Sequence, residues 1–146
     1  MSKLLKLISI SLLGLLLTTG AFAKTEVVYI PKNTGNPYFD SIIKGFEVGA
    51  EKYGYNFSTV APATADATSQ LPFIKAEIQR GVDVIAISPN SNDALNTVFD
   101  QARKKGIIVM VVNGDIPGSE DHRDVAIMPV DFSTVGTAQM TLMGQL

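Results

Sequence analysis

The sequence contains no cysteine. The chain therefore forms no disulfide bond, and its N-terminus cannot carry the lipid anchor that lipoproteins attach to a cysteine. A domain of this kind, if it is exported, has to rely on its own hydrophobic core.

Motifs of the common enzyme classes are also missing. His122 is the single histidine, and no cluster of histidine and cysteine indicates a zinc site. There is no Gly-x-Ser-x-Gly elbow, and Gly35 stands alone after the first apolar run instead of belonging to a dinucleotide-binding fingerprint. We therefore expect no catalytic residue, no metal and no cofactor.

Basic clusters are absent as well. Without Lys3 and Lys6, ten basic residues face 14 acidic ones. Because phosphate backbones are bound by grouped Lys and Arg, nucleic acid is not an expected partner.

The first residues have the pattern of a secretory signal peptide. Lys3 and Lys6 precede an apolar run from Leu7 to Leu17, and Ala21-Phe22-Ala23 places small residues where signal peptidase cleaves. The alternative is a membrane anchor, but the run is shorter than the roughly 20 residues of a spanning helix. We predict a signal peptide over residues 1–23, cleaved after Ala23, and export of the mature chain.

Strand and helix patterns alternate in the rest of the chain. The predicted strands are Glu26 to Pro31, Asn56 to Val60, Val84 to Ser88, Ile107 to Val112 and Asp124 to Pro129. The predicted helices are Asn36 to Tyr53, Thr68 to Arg80, Asn92 to Lys105 and the segment from Phe132 onward. Helix-length crossovers and strands that are apolar on both faces predict an α/β fold, a doubly wound, Rossmann-like parallel sheet with strand order 2-1-3-4-5.

Polar residues follow the predicted strands. In open α/β sheets ligands bind beyond the carboxyl ends of the strands, near the point where the strand order reverses. The residues that follow the five strands are, in order, Lys32, Asn33, Asn36, Tyr38 and Phe39; Pro62, Thr64, Asp66, Thr68 and Gln70; Ser88, Asn90, Ser91 and Asn92; Asn113, Gly114 and Asp115; and Pro129 and Asp131. Neutral amides and hydroxyls predominate in this set, as suits hydrogen bonding to a polyhydroxylated molecule.

Several of these residues have a purely structural interpretation. Asn36 is typical of a helix N-cap, with Pro37 in the first helical position. Phe39 falls on the buried helix face, whereas Tyr38 should point toward the strand ends, where its ring can stack on a sugar. The segment from Asn113 to Asp115 has the composition of a turn, and Lys32 has Asp115 as an alternative partner to a ligand.

Two longer stretches resemble a known family. The segments VVYIPKNTGNPYFDSIIKGFEVGAEKYGYN and GVDVIAISPNSNDALNTVFDQARKKGIIVMVVNGD are similar to the periplasmic sugar-binding proteins of ABC importers, in the ribose-binding-like, type I group. The IPK at residues 30–32 looks most like the rhamnose and autoinducer-2 binders. The resemblance implies two lobes that close on a sugar and then dock on an inner-membrane permease, and we expect a monomer at full length.

The same resemblance implies ligand contacts for eight of the strand-end residues, namely Lys32, Asn36, Tyr38, Phe39, Ser88, Asn90, Asn113 and Asp115. Asn113 departs from the pattern, because many members have an aspartate there that binds two sugar hydroxyls. This difference argues against ribose as the ligand. It also makes Asp115 the more important expected ligand contact after the fourth strand. We expect residues 24–130 to form the N-terminal lobe and residues 131–146 to begin the crossover into a second lobe, so that the sequence is a fragment. The alternative is an exported complete domain of this length.

Two other functions remain as alternatives. Sugar-responsive repressors share this core behind a DNA-binding module, although a signal peptide stands where that module would be. An exported α/β enzyme would have to use Asp115 or Asp131, for which no second carboxylate with a defined partner is evident.

Overall fold

The computed structural model describes residues 23–91, 93–114, 118–128 and 131–145. Residues 1–22 of the predicted signal peptide lie outside the described residues, as do Asn92, Asp115 and Pro129. None of the helices in the described ranges is both long and apolar enough to cross a membrane.

Five parallel strands form one sheet. The strands are β1 (Glu26–Ile30), β2 (Asn56–Thr59), β3 (Val84–Ile87), β4 (Ile108–Val112) and β5 (Val125–Ile127). The helices are α1 (Pro37–Tyr53), α2 (Leu71–Arg80), α3 (Asn96–Lys104) and α4 (Phe132–Met143), and a short 3₁₀ turn covers Glu120–His122. The strand order is β2-β1-β3-β4-β5, so the predicted fold class and order are confirmed.

Helix α1 begins and ends as its sequence indicates. Asn36 has extended backbone angles, and its side-chain oxygen accepts a hydrogen bond from the Tyr38 amide at 3.1 Å. Pro37 follows in the first turn, where a missing amide proton costs nothing. Gly54 ends the helix at a φ of 72°, which glycine adopts without strain.

Helices α2 and α3 begin later than predicted. The predicted starts at Thr68 and Asn92 are wrong, because tight turns precede both helices. The Leu71 amide bonds to the Thr68 carbonyl at 3.1 Å, and the Asn96 amide bonds to the Asp93 carbonyl at 3.2 Å. These turns keep the segments before Leu71 and Asn96 outside the helices.

The sheet has apolar packing on both faces, as predicted. The larger cluster joins the sheet to α2 and α3 and includes Val28, Ile30, Ile74, Ile85, Ile87, Val98, Phe99 and Val109. The smaller cluster lies under α1 and includes Tyr29, Phe39, Ala86 and Val112, with Phe46 and Phe57 packed against them. The sheet is thus a rigid platform for the segments at its ends.

The α1 face leaves an apolar hollow beside the helix. This hollow of about 430 Å³ extends from α1 across β3, β4 and β5. Its lining includes Ile42, Phe46, Tyr53, Phe57, Val84, Met110, Val112 and Ile127. The lining is almost wholly apolar, so the hollow does not suit a polyhydroxylated ligand.

Helix α4 is capped by Asp131. Its carboxylate accepts hydrogen bonds from the Ser133 and Thr134 amides and from both hydroxyls. These hydrogen bonds, that of the Thr134 hydroxyl first, lower the pKa of Asp131 to about 2. Met140, Leu142 and Met143 of this helix are exposed.

Candidate functional site

The carboxyl ends of β1, β3 and β4 lie side by side in the sheet. Lys32 and Asn36 follow β1, Ser88 and Asn90 follow β3, and Asn113 follows β4. The strand order reverses between β1 and β3, because β2 lies on one side of β1 and the later strands on the other. The predicted candidates therefore gather at the edge where α/β sheets bind ligands.

Tyr38 and Asn113 meet at this edge. The Tyr38 hydroxyl donates a hydrogen bond to Asn113 Oδ1 at 2.5 Å, although the two residues are 75 positions apart. Asn113 has a φ of 61°, in the left-handed region, and its amide donates to the Ile127 carbonyl at 2.9 Å. This pair connects the first turn of α1 to the end of β4.

The two adjacent aromatics have different surroundings. Tyr38 is 53% exposed, whereas Phe39 is 4% exposed and packs in the cluster under α1. Their rings meet edge to face, with centroids 5.3 Å apart. Phe39 therefore supports the exposed ring from the core, and Tyr38 presents the aromatic surface.

Ser88 lies below the surface of the site. It is fully buried, and its hydroxyl donates to the Val112 carbonyl at 2.9 Å. Since a carbonyl only accepts, the Tyr29 hydroxyl is the donor in its 2.8 Å contact with Ser88 Oγ. Burial raises the pKa of the Tyr29 phenol. In this geometry Ser88 has no surface for the predicted ligand contact, because β4 and Tyr29 already occupy its hydroxyl.

Asn90 is held by the turns around it. Its side-chain Nδ2 donates to the Lys32 carbonyl at 2.8 Å and to Ser69 Oγ at 3.1 Å. Its backbone N–H donates to Gln70 Oε1 at 2.9 Å. Its Oδ1 is buried and accepts no hydrogen bond from any residue in the described ranges. An acceptor of this kind is normally satisfied by water or by a ligand donor.

Gln70 is one of the polar residues that follow the second predicted strand, but no ligand contact is assigned to it from the sequence. Its side chain is fully buried, and Nε2 donates to the carbonyls of Pro31 and Ser88. Its signal in the sequence is an amide side chain after a strand and beside an apolar helix. That signal does not distinguish a buried bridge from an ordinary helix start.

Lys32 is partly buried after β1. Within the described part of the chain its Nζ has no hydrogen bond or ion pair, so this charge is available to a ligand. The alternative partner Asp115 lies outside the described residues, and both interpretations of Lys32 stay open.

A second, smaller hollow lies beside the start of α1. It has a volume of about 220 Å³ and is lined by Pro31, Asn33, Thr34, Gly35, Asn36, Phe39, Asp40, Ile43 and Thr59 to Ala61. Residues of the β1–α1 turn form one side of this hollow, and residues after β2 form the other. Most of its wall is apolar.

Two residues that an enzyme could use, His122 and Asp131, have hydrogen-bond partners within the described part of the chain. His122 Nδ1 is 2.8 Å from Asp100 Oδ1, beside the amino end of β5. The Asp131 carboxylate caps α4. In the ranges that the structure describes, no group of three or more His, Asp or Glu side chains could hold a metal ion.

Comparisons with known proteins agree with this architecture. Residues 27–146 match the model of the family described as periplasmic binding protein domain. The D-allose-binding periplasmic protein of Escherichia coli K12 is 34% identical over 111 residues, which are 75% of this chain and 36% of that protein.

Two solved structures are also similar. A solute-binding protein from Clostridium phytofermentas, solved with L-rhamnose, superimposes with a TM-score of 0.76 at 27% identity and covers 83% of this chain and 37% of that one. LsrB from Clostridium saccharobutylicum, in complex with AI-2, gives a TM-score of 0.74 at 26% identity, with coverage of 80% and 35%. The chain thus spans little more than a third of each of these proteins, and the resemblance seen in the sequence is confirmed. The chain belongs to the periplasmic binding protein domain family.

Proposed function

We propose that this chain is part of the periplasmic solute-binding component of an ABC sugar importer and has no catalytic activity. The observation that carries the proposal is the convergence of Lys32, Asn113 and the exposed Tyr38 at the reversal point of the sheet. Relatives that bind D-allose, L-rhamnose and AI-2 support the same class of ligand. We propose rhamnose, AI-2 or a related small sugar.

Each candidate residue has a defined part in the proposed site. The Tyr38 ring stacks on the apolar face of the sugar, and Phe39 holds that ring from below. Asn36 caps α1 through Oδ1, which leaves its Nδ2 to donate to a sugar hydroxyl. Lys32 supplies a charged donor above β1, where it reaches the same ligand.

The end of the sheet supplies the acceptors. The buried Oδ1 of Asn90 accepts a hydroxyl donor, either from the ligand or from a bridging water. Asn113 and Asp115 follow β4 and complete the set. Ser88 acts from below, by fixing the end of β4 through Val112.

The proposal also covers the rest of the transport system. Residues 24–130 form the N-terminal lobe of the binding protein, and residues 131–146 lead into a second lobe that closes over the sugar. The closed, monomeric form delivers the sugar to an inner-membrane permease. Export follows from the signal peptide that the first 23 residues indicate.

Native mass spectrometry of the protein purified from its own source tests this function. We expect a mass more than twice that of residues 24–146, together with an adduct of carbohydrate mass. Calorimetric titration of the same material with L-rhamnose, D-allose and AI-2 should then release heat for at least one of them. Absence of both the adduct and any binding heat would refute the proposed function.

A further inference from the structure

Gln70 and Ser88 are the two fully buried polar residues near the site in the described ranges. Gln70 carries the longer side chain of the two. It has no accessible surface, and it lies immediately before α2 with no capping hydrogen bond to that helix. A buried amide is costly unless its donors and acceptor are satisfied. The partners of Gln70 therefore explain why an amide stands at this position.

Those partners belong to two different strand ends. Nε2 donates to the Pro31 carbonyl after β1 at 3.0 Å and to the Ser88 carbonyl after β3 at 2.8 Å, while Oε1 accepts from the Asn90 amide at 2.9 Å. The reverse orientation of the amide would place its oxygen against two carbonyls, so the assignment of oxygen and nitrogen is fixed. One side chain thus connects the end of β1 to the end of β3, at the point where the strand order reverses.

Asn90 extends this connection to the candidate ligand contacts. Gln70 Oε1 holds the backbone N–H of Asn90, and the Asn90 side chain in turn donates to the carbonyl of Lys32. The backbone of Lys32 is therefore positioned through two successive amide side chains. Because Asn90 Oδ1 has no partner in the described ranges, only its donors hold Asn90 in place.

We propose that Gln70 is a positioning residue of the sugar site: it sets the spacing between the turn after β1 and the turn after β3, and thereby places Lys32 and Asn90 for the ligand. This inference rests on the proposed function for its ligand. The amide itself touches no sugar.

The first test compares sugar affinity with stability in the full-length protein. Gln70→Met keeps a similar length and volume but has no donor for the two carbonyls. The matched control is Ile78→Ala, which removes buried core from the same helix, eight residues beyond Gln70. Both variants should melt at lower temperature than the wild type.

At a temperature where both variants are folded, we expect Gln70→Met to weaken sugar binding by about tenfold or more. Ile78→Ala should bind within about twofold of the wild type, since its site is distant. An unchanged affinity in Gln70→Met, or an equal loss in both variants, would overturn the proposal.

The second test needs neither a sugar nor a folded variant. In the wild type, hydrogen exchange followed by NMR should find the Asn90 amide protected to a degree similar to amides within β3. Rapid exchange of that amide would show that Gln70 does not hold it. If the wild type binds no sugar although its Asn90 amide is protected, the proposed function fails while the bridge between the strand ends stands.

Discussion

The Tyr38 hydroxyl donates to Asn113 Oδ1 at 2.5 Å and so joins the start of α1 to the end of β4. The same two residues are proposed to contact the sugar, so the hydrogen bond fixes the angle at which the aromatic face is presented. The ring stays exposed while its hydroxyl is engaged. Binding can therefore use the ring face without first ordering a free side chain.

Removal of the Tyr38 ring should weaken sugar binding. We expect Tyr38→Ala to cost about 1–3 kcal/mol, through loss of apolar contact with the sugar. Tyr38→Phe keeps the ring and should cost less, about 1 kcal/mol, through loss of the hydrogen bond to Asn113. Calorimetry on the full-length protein measures both values.

The control for this pair is Tyr53→Ala. Tyr53 is an exposed tyrosine at the other end of α1, 63% accessible, and its loss should leave the affinity unchanged. An unaltered affinity in Tyr38→Ala would remove Tyr38 from the site.

The left-handed backbone at Asn113 should make the stabilities of Asn113→Gly and Asn113→Ala differ. Its φ of 61° is tolerated by asparagine and glycine but strains alanine. Both replacements lose the acceptor for Tyr38, so their difference isolates the backbone. We expect Asn113→Gly to be more stable than Asn113→Ala by about 1 kcal/mol in urea unfolding. Equal stabilities would contradict a left-handed conformation at this residue.

Ser88→Ala should affect stability more than binding. The substitution leaves the Val112 carbonyl and the Tyr29 hydroxyl without their buried partner, at a cost of about 1–3 kcal/mol. Sugar affinity below the melting temperature should change little. A large loss of affinity with unchanged stability would instead restore Ser88 as a direct ligand contact.

Acid should release the cap of α4. The pKa of Asp131 is lowered from 3.8 to about 2, so the folded state favours the ionised carboxylate. The stabilisation is complete above pH 3.8 and is lost as the pH falls through about 2. NMR shifts of the Ser133 and Thr134 amides, which donate to this carboxylate, should report that midpoint.

Asp131→Asn is the matched control for this titration. Asparagine also caps helices but does not ionise, so the shifts of the two amides should no longer follow pH in this range. A wild-type midpoint near 3.8 would mean that the cap hydrogen bonds do not favour the charged form.

Sequence reasoning identified the sheet order and the faces of α1 because both depend on regular patterns. The spacing of Phe39, Ile42 and Phe46 encodes a helix face, and helix-length crossovers permit few arrangements of parallel strands. The starts of α2 and α3 were predicted wrongly, because each depends on a local turn that competes with the first helical turn.

The sequence predicted which edge of the sheet carries the candidate site, but not how deeply each of its residues is buried. Position after a strand places a residue at the correct edge of the sheet, and Asn113 and Tyr38 do meet there. It does not reveal whether the side chain points to solvent or into the sheet. Ser88 and Gln70 are both fully buried, and that depth depends on packing between residues distant in sequence.

The parallel sheet described above also governs how this chain reaches its native state. All pairs of neighbouring strands in the described ranges are parallel, so none of them is joined by a tight hairpin. Glu26 of β1 pairs with Asn56, 30 residues later. Strand β1 also pairs with β3, and Ser88, directly after β3, lies 59 residues beyond its partner Tyr29 in β1. Long loops must close before such contacts form, so folding is slower than in a helical bundle of similar size. Strand β1 is synthesised before both of its partners, β2 and β3, and stays unpaired until they are made. The longer its apolar surface is exposed, the greater the risk of aggregation.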